Sequence, residues 1–129
     1  MFFKDDPIDY KKLEELEDLS STDGDDFISA LVTKFLSLLS ERIEGLRNLS
    51  NQSSFDLVKR EVHSFKLSCQ ILGAQNLSHC LEEVARAAQS RDQKSLQVAF
   101  SKASVAAQQV EAELTYFLGT RLHRKEKAS

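Results

Sequence analysis

Turn-forming residues are scarce: the 129 residues include one proline and four glycines. A sheet-built domain of this length needs more of both, so the scarcity favours long helices joined by short loops. No apolar run approaches the roughly 18 residues of a membrane-spanning helix. The opening MFFKDD has two aromatics and then acid. A secretory signal would show a basic start and an apolar centre. A soluble, cytoplasmic protein is therefore expected. Basic charge is not in surplus either: 17 Lys and Arg stand against 20 Asp and Glu, a net charge of −3. That argues against a nucleic-acid surface, which would need a basic stripe. The two cysteines, Cys69 and Cys80, form no CxxC pair and read as free thiols in a reducing compartment.

What is present points to folding. Hydrophobic residues make up 41% and charged residues 29%, a balance that supports one core. Five helical segments can be marked. Pro7 and Asp9 open a short one, DYKKLEELEDLS, with Tyr10, Leu13, Leu16 and Leu19 apolar. SSTDGDD breaks the chain with cap and turn residues. A second segment, from about Asp25 to Leu49, presents Phe27, Leu31, Phe35, Leu38, Leu39, Ile43, Leu46 and Leu49 as a broad buried face. SNQSS is the next break, with Ser53 or Ser54 as cap. The third segment runs from Phe55 to Leu72, and Gly73 ends it in a left-handed conformation. Asn76 is the expected cap of the fourth, whose stripe is Leu77, Leu81, Val84 and Ala88. After QSRDQ the fifth repeats Leu96, Phe100, Ala103, Ala107, Val110, Leu114 and Phe117 at alternating spacings of four and three. That is the period of helices packed nearly parallel or antiparallel.

Short loops force antiparallel neighbours. The expected fold is all-α: an up-down-up-down four-helix bundle with a short additional N-terminal helix across one end. One domain should fill residues 1–129, with its core over about 8–122 and a polar, frayed tail over 123–129.

The third segment carries the chemistry. VHSFKLSCQILGA holds a histidine, His63, and a lysine three residues on, Lys66. On a helical wheel Phe55, Val58, Val62, Phe65, Cys69 and Leu72 fall within an arc of about 100°, and His63 lies about 130° from its centre. His63 should therefore face solvent. Lys59, Lys66 and Gln70 lie between it and the core edge, and Leu67 lies beside it. An exposed imidazole is a competent nucleophile near neutral pH. A phosphoryl group on it would carry about two negative charges, and Lys66 is placed to meet them.

Other chemistries fit poorly. His63, His79, Cys69 and Cys80 have no metal-ligand spacing, and His123 lies in the basic tail. Asp23, Asp25 and Asp26 lack the spacing of a calcium loop and read as a helix N-terminus. There is no Gly-rich phosphate loop and no Gly-x-Ser-x-Gly.

HSFKLSCQILGA resembles the signature of histidine-containing phosphotransfer (HPt) domains through His63, Lys66, Ser68, Gly73 and Ala74. The similarity in helix order and length covers about Ile8 to Leu122. The resemblance implies a phosphocarrier without its own ATP site. His63 would exchange a phosphoryl group with an aspartate on response-regulator receiver domains, and Lys66 would stabilise it. The protein itself would need no cofactor, because the receiver brings Mg²⁺. A hybrid sensor histidine kinase is an additional implied partner, and neither nucleic acid nor membrane is. The docking surface implied around His63 is Lys59, Leu67 and Gln70, with Arg86 and Gln89 from the fourth segment, on a monomer. Two departures stand out. Leu67 occupies the position after the lysine where the family usually has glycine. Ala85, with Glu82, Arg86 and Gln89 nearby, stands where many members place a Gln or Glu beside the ring. They leave open a second reading, a helical adaptor that binds receivers or other signalling partners without accepting phosphate.

Overall fold

In the computed structural model, residues 7–19 and 24–128 are described. Five helices follow one another: α1 Tyr10–Leu19, α2 Gly24–Asn51, α3 Phe55–Leu72, α4 Gln75–Gln89 and α5 Gln93–Ala128. No strand occurs among the described residues. Of the break expected over 20–26, residues 20–23, with Asp23, lie outside them and α2 already begins at Gly24; the side chains of Asp25, Asp26 and His123 lie outside them too.

Helices α2 to α5 form a ring in which each packs on the next and α5 closes against α2. The core is the sum of their apolar stripes. Val58, Val62, Phe65, Cys69 and Leu72 of α3 are buried, as are Leu77, Leu81, Val84 and Ala88 of α4 and Leu96, Phe100, Ala103, Ala107, Val110 and Leu114 of α5. The α2 stripe differs from the expected one. Ile28, Val32, Phe35, Leu39 and Leu46 are buried, and Leu31, Ile43 and Leu49 are only partly so. Phe27 is 51% exposed. The apolar arc of α2 is wider than the face its neighbours can cover, and Phe27 lies one residue, about 100°, off the buried row.

The helix ends follow local rules with three departures. Gly73 has φ 76° and ends α3 in the left-handed conformation, its N–H and that of Ala74 closing on Gln70 and Cys69 carbonyls. Ala74, not Asn76, holds the N-cap position of α4, and no side chain caps it. The reversal at Gly73 is so tight that α4 starts at once. The residue before α3 is Ser54, also without a side-chain cap bond. Asp92 does cap α5: its carboxylate accepts from the N–H groups of Lys94 and Ser95 and from the Ser95 hydroxyl. The chain stays helical to Ala128, past the expected start of a frayed tail. RLHRKEKA contains strong helix formers and no glycine or proline to stop it.

Helix α1 covers the end of the bundle where α3 stops and α4 begins. The Asp9 N–H donates to the Gly73 carbonyl at 2.7 Å, Ile8 and Leu13 are buried, and the Tyr10 hydroxyl donates to Glu113 of α5. Burial and the neighbouring carboxylate push the Tyr10 phenol well above its ordinary range.

Candidate functional site

The wheel placement of His63 is borne out: the residue is exposed on α3, while its neighbour Val62 is buried. Val62 and Phe65 anchor the helix on either side, so His63 projects from a rigid support. Among the described residues the ring has no hydrogen-bond partner. On its α4 side is a shallow hollow lined by Lys59, Val62, His63, Lys66, Glu82, Ala85 and Arg86. Three cations and one carboxylate thus surround the imidazole.

The polar groups of the hollow are paired across the helix interface. Lys66 Nζ lies 2.6 Å from Glu82 Oε1, with the two side chains 28% and 40% exposed. The other Glu82 oxygen lies 3.7 Å from His79 Nδ1. The hydrogen bond and charge of Lys66 hold the Glu82 carboxyl below its ordinary range, helped by His79 and Arg86. Lys59 Nζ donates to Gln89 Oε1 at 2.5 Å. Ala85 offers the ring no polar atom.

A family model, the Hpt domain, matches residues 30–118. The match takes in well over half of the chain, including all of α3 and α4. The chain belongs to the Hpt domain family. That membership supports a phosphotransfer role in two-component signalling, as a carrier and not as a conventional enzyme. Among solved structures, the fold matches the X-ray structure of a rice protein named as a histidine-containing phosphotransfer protein. The TM-score is 0.79 at 21% identity, covering 91% of this chain and 83% of that one. At that identity the likeness speaks to the fold. No curated protein matches the chain.

Within this Hpt domain the implied docking residues divide into separate places. Lys59 and Arg86 line the histidine hollow, with Gln89 bonded to Lys59. Gln70 lines a different depression with Asp9, Lys12, Gly73, Gln75, Ser78, His79 and Glu82. Leu67 is 50% exposed. Next to it on the α2 side, Ile71 is 53% exposed. Ile71 also borders an apolar cleft between α2 and α3 that includes Leu31, Leu38 and Phe65, with Lys34 and Arg42 at its edge. The Arg42 guanidinium sits 5.5 Å from the centre of the Phe65 ring. His63 thus has a charged hollow on one side and an apolar surface on the other.

Sequence reasoning noted Glu82 near the site but missed its bond to Lys66. That pair depends on the rotation and axial register of two antiparallel helices, which the period of each helix leaves undetermined. No cluster of three or more His, Cys, Asp or Glu suited to a metal occurs among the described residues. Cys69 is buried, and burial pushes its thiol up to about 12. None of the described helices is long and apolar enough to cross a membrane.

Proposed function

We propose that this protein is a cytoplasmic, monomeric phosphorelay carrier, folded as one domain over residues 1–129, that accepts and donates a phosphoryl group on His63. The exchange partner is the aspartate of a response-regulator receiver domain. A hybrid sensor histidine kinase fits the upstream place. One observation carries the reading: in an Hpt domain, an exposed histidine stands on a rigid helix beside a hollow lined by Lys59, Lys66 and Arg86.

In the forward step the electron pair of a ring nitrogen of His63 attacks the phosphorus of the receiver's aspartyl phosphate. A P–N bond forms as the P–O bond breaks, and the aspartate leaves with the electron pair as a carboxylate. The reverse step returns the group. Lys66 and Arg86 offset the phosphoryl charge, and charge-assisted hydrogen bonds of this kind are roughly twice as strong as neutral ones. As the resemblance to the family implies, the receiver would bring Mg²⁺ and its own charged groups to complete the site. The apolar surface of Leu67 and Ile71, edged by Lys34 and Gln70, suits a small transient interface.

The test is transfer from a panel of phosphorylated receiver domains of the same organism. Acid-labile label should appear on the wild type and not on His63→Gln. That variant should keep its melting temperature within about 2 °C, because the replaced ring is exposed.

A second reading is favoured by Ala85 and Leu67: the ring lacks an orienting amide and has a bulky neighbour. On that reading the bundle is an adaptor. Receivers would bind wild type and His63→Gln equally, and no label would pass.

A further inference from the structure

A lysine that is to stabilise a phosphoryl group should be free, yet here it is occupied. Lys66 Nζ is 2.6 Å from Glu82 Oε1, and both residues line the hollow that holds His63. We propose that Glu82 competes with the phosphoryl group on His63 for Lys66, so that the ion pair shortens the life of the phosphorylated state and biases the carrier toward giving the group away. This rests on the proposed phosphoryl role of His63.

The physical case has three parts. The ion pair is part-exposed and therefore weak, so it can be exchanged. A phosphoryl group brings about two negative charges and three acceptor oxygens, against one charge on the carboxylate. It sits one helical turn from Lys66, within reach of that side chain. Finally, Glu82 does not lose all support when Lys66 leaves. His79 lies 3.7 Å from its second oxygen, and Arg86, one turn on, also favours its charge. Lys66 can therefore swing to the phosphoryl oxygens without stranding a carboxylate. The phosphorylated state must still break an existing bond and then accept a nearby negative charge. A site with an unpaired lysine would carry neither penalty.

The experiment uses the full chain and phosphoramidate, a small P–N donor. The His63 nitrogen attacks phosphorus, the donor's P–N bond breaks, and ammonia leaves with its electron pair. The lifetime of the acid-labile label is then followed in wild type, Glu82→Gln, Lys66→Gln and the double variant. Glu82→Gln should lengthen the lifetime about 1.5- to fivefold, the range an exposed ion pair allows. Most of that gain should vanish in the Lys66→Gln background, because Glu82 acts as a positioning residue through Lys66. Label on Glu82→Gln alone would also support the competition. Equal or shorter lifetimes in Glu82→Gln, with wild type labelled, would overturn this inference and leave the proposed function intact. A gain undiminished without Lys66 would overturn it too, since direct repulsion would then be the cause. No label on either wild type or Glu82→Gln would remove the proposed function itself, and the competition with it.

Discussion

Leu67 is the residue that most separates this site from the usual Hpt pattern, in which glycine follows the lysine. Its side chain is 50% exposed, so it contributes little to the core and much to whatever docks. Leucine at a half-exposed helix position presents apolar area that a partner can bury at about 25 cal/mol per Å². It stands one turn from His63 on the exposed surface of α3, so its bulk takes up room where a partner would approach that ring. Leu67→Gly should therefore widen the range of receivers that exchange phosphate with the protein. The change also costs about 1 kcal/mol of helix stability, so Leu67→Ala serves as the comparison that keeps helix propensity. Transfer rates across a receiver panel are the measurement. Rates unchanged in both variants for every receiver would remove Leu67 from any account of partner choice.

Among the elements, α1 is seated in part against the chain reversal at Gly73. At Gly73 the φ of 76° suits glycine, and a Cβ there would lie 2.7 Å from the Asp9 carbonyl oxygen and 2.9 Å from Lys12 Cβ. Gly73→Ala should therefore lose about 2–3 kcal/mol, from the left-handed backbone and from displacement of α1 together. Urea denaturation would check it. A loss below about 0.5 kcal/mol, the level of an ordinary surface change, would mean that α1 is not seated against this turn. The turn itself was legible in the sequence, because a glycine closing an apolar period is a helix stop. The seat of α1 was not: Ile8, buried in the structure, precedes the helix and belongs to no period. Asn76 misled for a related reason. An amide near a helix start is a good cap only if the turn leaves room for one, and here α4 begins directly after Ala74. The histidine face of α3 was legible because one helix determines it. The Lys66–Glu82 bond was not, because it takes two.

For the whole molecule, the buried thiol of Cys69 ties stability to alkaline pH. Cys69 lies in the core on α3, and every bundle contact that excludes water from it must fail before it can ionise freely. Burial pushes it from 9.0 up to about 12, with Arg42 pulling weakly the other way. The folded state thus holds its proton to higher pH than the unfolded chain. The corresponding stability is fully present below pH 9 and falls as pH rises from there toward 12. The linkage amounts to roughly 1 kcal/mol at pH 10 and roughly 3 kcal/mol at pH 11. Tyr10, between α1 and α5, and the half-buried Cys80 are raised as well, so they share the sign. Unfolding free energies from urea titrations at pH 8, 10 and 11 should fall for wild type and fall less for Cys69→Ala. The alanine variant starts from a lower value because it leaves a small cavity. The difference in slope, not in starting value, carries the prediction. Parallel slopes would mean that the Cys69 proton is lost as readily in the folded bundle as in the unfolded chain.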